Sequence, residues 1–313
     1  MIARIVTCDE VIYQLPELLE CSVCCTGGVP GDSFAATCVY TPDMAEAVHR
    51  AASFLIWEGD WLLLHGIVDE YVIEQSGRGR TVSFQGRGYI CRLLDNESRS
   101  VTYQTADLHE ILRNHVTPYG IPCQEIAAVK AAEAYTVSAG KSQWRVLADF
   151  CETYGGFLPR FARSGEMIAV PENGGRIFYI GNETTLLSLV KRGDHYDVLS
   201  EVVVVDKTRG VSYTVKNQDF IDRCGSRRRI VYTPGQSTWA AMRYTGEYQI
   251  ARSKENEMEI TVILPGLQRI DAADTVRIQR DDCGIYGEYR VAEVEHRLDD
   301  TGEKTLLTLK ERI

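Results

Sequence analysis

Residues 258–311 read MEITVILPGLQRIDAADTVRIQRDDCGIYGEYRVAEVEHRLDDTGEKTLLTLKE. Apolar residues alternate with polar ones at Ile260, Val262 and Leu264, then at Val276 and Ile278. They recur at Tyr289, Val291 and Val294, and again at Leu307 and Leu309. A period of two, broken by Pro-Gly-Leu, Asp-Asp-Cys-Gly and Asp-Asp-Thr-Gly-Glu, predicts antiparallel strands with one wet face. The turn residues supply the dihedrals that such reversals need. The last stretch, 257–313, is therefore expected to form a small barrel or sandwich and to end without a tail. No chemical constellation is visible in it.

Upstream, the text changes texture twice. Residues 2–40 mix β-branched residues with Gly-Gly-Val-Pro-Gly-Asp, which predicts two strands around a turn. MAEAVHRAAS (44–53) predicts a short helix capped by Thr41 or Asp43, with Pro42 near its first turn. GDWLLLHGIVDEYVIEQ, the turn SGRGR and TVSFQGRGYICRLL predict a long hairpin. Gly66, Gly86 and Gly88 inside it suggest bulges or bends. From about residue 100 helical spacing takes over, at Leu108, Ile111 and Leu112, then at Trp144, Leu147 and Phe150. A strand is expected at 135–137, Ser142 as a helix cap, and a hairpin around Ser164 and Gly165. DVLSEVVVVD (197–206) resumes the strands, its valines suggesting burial on both faces for part of its length. STWAAMRYTGEYQIARSKENE predicts a helix with Ser237 as N-cap and Trp239, Met242 and Ile250 as its apolar stripe. Gly246 weakens that helix by about 1 kcal/mol relative to Ala. The reading is α+β, mainly β: two β regions, 1–100 and 196–313, separated by a small α/β block at 101–195.

The chain has 313 residues, 44% hydrophobic and 25% charged, with a formal net charge of -10. Such totals fit a globular chain of two or three domains and argue against electrostatic capture of nucleic acid. They leave room for a surface past which nucleic acid slides. The N-terminal text lacks a signal-peptide pattern, and no apolar run is long enough to span a bilayer. The expected location is a cytosol, or release from one by lysis. The ten cysteines are then expected as reduced thiols. Cys21, Cys24 and Cys25, with Cys8 and Cys38 nearby, suit a metal cluster less well than burial as small apolar side chains, because no second close pair follows.

Catalytic readings find little support. His49, His65, His109, His115, His195 and His296 include no metalloprotease spacing and are expected in surface or structural roles. Gly-x-Ser-x-Gly is absent, and Gly140-Lys-Ser lacks the frame of a phosphate loop. Asp281, Asp282, Asp299 and Asp300 fall in expected turns. No catalytic, cofactor or metal residue is assigned. The local charge anomaly is Arg227, Arg228 and Arg229, which could meet a phosphate or an acidic partner surface, or form a solvated loop. A protein partner is favoured over nucleic acid. YTVSAGKSQWRVLADF (135–150) also resembles the opening of a LysM module, a peptidoglycan-binding fold, without that module's usual second half.

Three phrases in order carry a broader resemblance. They are LLLHGIVDEYVIEQSGRGRTVSFQGRGYICRLLDNES (62–98), YTVSAGKSQWRVLADFCETYGGFLPRF (135–161) and the closing ITVILPGLQRIDAADTVRIQR with GIYGEYRVAEVEHRLDDTGEKTLLTLK. Gly86-Arg87 followed by Leu93-Leu94-Asp95 is the most telling local piece. Together they resemble the baseplate hub proteins of contractile phage tails, tailocins and related injection systems. This is the superfamily of late-control protein D and the type VI spike hub. The resemblance implies two tube-protein-like antiparallel β-barrel domains with an inserted α/β domain. It further implies a homotrimer with near-sixfold symmetry, joining a tail tube protein to a spike protein on a separate chain. Tape-measure protein and baseplate wedge would be further partners. Neither sequence-specific nucleic acid nor membrane insertion is implied. The implied location is the bacterial host cytoplasm during assembly, then the virion, tailocin or injection-system baseplate. The alternatives are a peptidoglycan-binding or lytic tail-associated protein, and a free metal enzyme, which would need stoichiometric zinc.

Overall fold

The computed structural model describes residues 1–77, 79–233 and 237–311. The chain is α+β, mainly β. It divides into two compact units: Met1–Phe178 with Ile263–Thr275 and Val291–Leu307, and Tyr179–Val262 with Val276–Arg290 and Thr308–Ile313.

The first unit opens with β1 (Ile2–Thr7), β2 (Ile12–Gln14), β3 (Leu18–Cys25) and β4 (Ser33–Val39), four strands where the text suggested two. A 3-10 turn at Pro42–Met44 leads into α1 (Ala45–His49). The helix expected over 44–53 stops there, because β5 (Ala51–Glu58) pairs with β1 from Ala51 onward. Sheet pairing overrides the helix preference of two alanines, as tertiary context often does. β6 (Trp61–Ser76) and β7 (Gly79–Gly88) form the expected hairpin, and α2 (Cys91–Leu94) follows. The sheet order is β3-β4-β7-β6-β5-β1-β2.

Phe34, Phe54 and Phe84 stack through the core of this sheet, with ring centroids 4.6 Å and 5.4 Å apart. Each buried ring contributes about 1.5–3 kcal/mol. Gly66 and Gly86 of the hairpin make room for Phe34, and Gly86 also lies opposite a bulge in β6. A Cβ on Gly86 would sit 1.9 Å from the Ile67 carbonyl oxygen and 2.6 Å from the Phe34 ring. The bulge itself falls between Val68 and Glu70.

The α/β block comprises β8 (Val101–Tyr103), α3 (Leu108–His115), β9 (Cys123–Ile126), β10 (Tyr135–Val137), α4 (Gln143–Phe150), β11 (Arg160–Phe161) and β12 (Met167–Ala169). Asp107 caps α3 by accepting from Glu110 N, and Ser142 caps α4 by accepting from Arg145 N, satisfying donors that no helical carbonyl can reach. Gly156 ends the helical run in the left-handed conformation. The faces so aligned bury Leu108, Ile111, Leu147 and Phe150 against Val137 and Met167.

The remaining elements are β13 (Ile177–Ile180), β14 (Ser188–Gly193), β15 (Glu201–Asp206), β16 (Ser212–Lys216), α5 (Gln218–Asp222) and β17 (Arg228–Thr233). They continue with α6 (Trp239–Lys254), β18 (Met258–Pro265), β19 (Thr275–Arg280), β20 (Ile285–Asp299) and β21 (Gly302–Glu311). β15 alternates buried and half-buried residues instead of being buried on both faces. It lies between antiparallel β16 and parallel β17, and α6 covers one face with Met242 and Ile250. Thr238, not Ser237, caps α6. Every alternating apolar position of the closing stretch is buried. The closing strands do not shut on themselves, however. β20 lies between β21 and β3, pairing Val294 with Cys25 and Leu298 with Cys21.

Candidate interaction surfaces

The arginine run lies partly on a strand. Arg228 and Arg229 begin β17, so their side chains leave opposite faces. Arg228 pairs with Glu201, its cross-strand neighbour. Arg229 Nη1 donates to Gln249 Oε1 of α6 at 3.1 Å. Arg227 lies 3.4 Å from Asp197, its guanidinium 4.8 Å above the Tyr196 ring. The open face of β17 continues with Ile230 and Tyr232, which are 53% and 59% exposed. The arginines are thus ordered by local partners and stand beside an exposed apolar pair.

The first unit holds a second polar centre, built around Arg163, that no spacing in the text announces. Its guanidinium pairs with Asp271 and donates to the carbonyls of Leu63 and Ile270, both at 2.8 Å. It stacks 5.0 Å from the Trp61 ring. Wholly buried His296 meets Trp61 edge-on, shares a hydrogen bond with Gln268 O at 2.9 Å through Nε2 and leaves Nδ1 without a partner among the described residues. Burial first, and Arg163 next, hold the His296 pKa down to about 4. These groups tie together strands and loops far apart in the chain. Spacing along the sequence carries no signal for such a cluster.

The Gly86-Arg87…Asp95 piece resolves into a fork. Arg87 donates from Nε and Nη2 to Asp69 at 2.7 Å and 3.0 Å, and from Nη1 and Nη2 to Asp95 at 3.1 Å and 2.9 Å. One guanidinium thereby holds β6 and the end of α2 to β7.

Other expectations resolve as packing. His115 sits between Gln143 Oε1 at 2.6 Å and the Tyr103 hydroxyl at 3.0 Å. His65 meets the Tyr89 hydroxyl at 3.0 Å. Cys21, Cys25 and Cys38 are buried, and burial pushes Cys21 and Cys25 up to about 12. Of the five cysteines read as buried small side chains, Cys8 is instead exposed and Cys24 half-buried. Among the described residues, no three His, Cys, Asp or Glu side chains gather as a metal site would require.

Among the strand edges of the described residues, two stand out. β5 accompanies β6 only as far as Ile67, so residues 69–76 pair with β7 alone. That segment is exposed throughout, including Tyr71, Val72 and Ile73. β14 pairs only with β18, and residues 190–193 are exposed.

No family model matches the chain, and no curated protein matches it. Solved structures do. The 43 kDa tail protein of prophage MuSo2 from Shewanella oneidensis superposes with a TM-score of 0.81 at 13% identity, over 99% of this chain and 98% of that one. The chain has a phage tail-protein fold. The tail protein from Neisseria meningitidis MC58 agrees, with a TM-score of 0.76 at 15% identity over 99% and 96% of the two chains. A component of the Escherichia coli type VI secretion system shares the tail-protein fold more loosely, with a TM-score of 0.56 at 10% identity over 96% and 75%. The resemblance read from the three sequence phrases is borne out at the level of fold.

Proposed function

We propose that the chain is a structural baseplate hub subunit of a contractile tail or injection machine. Three copies form a ring of near-sixfold symmetry that joins the tail tube to a central spike and leaves a channel for cargo. Residues 1–100 and 196–313 are the two tube-like modules of this reading, and 101–195 the insert. The observation that carries it is the end-to-end correspondence with tail proteins, which spans nearly the whole of both chains. The hub acts through buried area and symmetry, with no catalytic step. Arg227, Arg228 and Arg229, ordered beside Ile230 and Tyr232, are proposed as a contact for a protein partner.

A second reading, a peptidoglycan-binding or lytic tail-associated protein, draws on the LysM-like segment, which does fold as strand β10 followed by helix α4. Light scattering and electron microscopy of the purified protein separate the two. The hub predicts a trimer seen as a threefold ring with an open centre. A stable monomer that sediments with peptidoglycan overturns it in favour of the second reading.

A further inference from the structure

The two edges carry opposite charge. Residues 69–76 of β6 contain Asp69, Glu70 and Glu74 and no base, whereas β14 contains Lys191 and Arg192 and no acid. Asp69 is held by Arg87, and Arg192 by Asp194. Among the described residues Glu70, Glu74 and Lys191 have no charged partner.

Their faces also match. Glu70, Val72 and Glu74 share one face of β6, in register with Gln85, Ser83 and Thr81. Tyr71 and Ile73 share the other, in register with Phe84 and Val82. Phe84 and Val82 are fully buried, while Ile73 beside them is 44% exposed. The core face of the sheet therefore runs out from under its cover along this edge. In β14, Leu189 and Lys191 share one face, and Val190, 54% exposed, lies on the other. Set beside β6, such a strand places an apolar residue and a cation against Val72 and the two glutamates. On the opposite face it lays Val190 over Tyr71 and Ile73.

We propose that β14 of one copy adds to the free edge of β6 in the next copy, so that a sheet crosses the boundary between subunits. The joint rests on the ring reading above and names its seam. Charge on an edge strand ordinarily blocks pairing with another copy of the same edge. Here β6 repels β6 and β14 repels β14, which disfavours two-fold dimers. Unlike edges attract, which selects the head-to-tail joint that a closed ring needs. The overlap offers about 20 Å of shared edge and about six backbone hydrogen bonds.

The test is a charge swap. Glu70→Lys with Glu74→Lys makes both edges basic, and Lys191→Glu with Arg192→Glu makes both acidic. Sedimentation velocity over a range of concentrations reads the oligomer, and circular dichroism checks that each variant folds. Wild type is expected to be trimeric. Each double variant is expected to associate about a hundredfold more weakly, since like charges then face each other. The quadruple variant, with both signs exchanged, is expected to recover the trimer. Double variants that remain trimeric overturn the seam and leave the ring reading standing. Folded double variants that dissociate, with a quadruple variant that does not recover, also overturn the seam. A wild type that stays monomeric at every concentration overturns both.

Discussion

The imidazole of His296 is wholly buried against Trp61, with Nε2–H placed to donate to the Gln268 carbonyl. The remaining lone pair on Nδ1 faces no donor among the described residues, and a proton there would be buried near the Arg163 guanidinium. The folded state therefore holds this pKa at about 4 against 6.5 in the open chain. A depressed pKa gives stability that is complete above 6.5 and falls as the pH drops, until the folded form itself takes the proton near 4. Across that window the loss is about 3 kcal/mol. Urea midpoints measured from pH 7 to pH 4 should fall more steeply in wild type than in His296→Leu. Parallel profiles would rule the idea out. Nothing in Glu-His-Arg announced this role, because Trp61, Arg163 and Gln268 reach the ring from three other segments. Ser142 was legible for the opposite reason: a cap acts on an amide three residues away.

At the scale of elements, the clearest readings were of those whose partners are near in sequence. The β6–β7 hairpin, the capped helices α3 and α4, and the β11–β12 hairpin all fall where their spacing put them. α1 was overextended because β1, far upstream, claims Ala51. In β20 the alternation slips between Val291 and Val294, both fully buried, so a strict period of two fails within one continuous strand. α6 hides a similar trap. Gly246 reads as a weakness in the helix, yet a Cβ there would sit 2.4 Å from Val215 Cγ2. The glycine lets α6 approach β16. Gly246→Ala would gain about 1 kcal/mol of helix propensity and lose about 1–3 kcal/mol to overpacking. The expected outcome is a net loss of about 1 kcal/mol in chemical denaturation, reversed when Val215→Ala makes room. A gain from Gly246→Ala alone would contradict the close approach.

At the scale of the whole molecule, the order of the three phrases was enough to find the fold, while the pairing of β20 with β3 was not readable. No local signal in either strand names a partner that distant. The arginines at 227–229 sit between these cases: their charge was visible in the text, their ordering was not. Reversing all three to glutamate removes the pairs to Asp197 and Glu201; the first is exposed and worth at most about 1 kcal/mol, and in the second the arginine side is exposed. The variant should stay folded by circular dichroism and fail to join particles assembled in cells. Particles that incorporate it normally would exclude these residues as a partner contact.

Ser22 of β3 hydrogen-bonds Glu295 of β20 at 2.7 Å, across 273 positions of sequence. At about 5–20 residues per second, a ribosome needs roughly 15–55 s to deliver the second strand after the first has emerged. Throughout that interval the nascent N-terminal half waits with one border of its sheet unclaimed. Synthesis thus sets a clock on this polypeptide, and a stall late in the message would release a fragment primed to stick to whatever strand comes by.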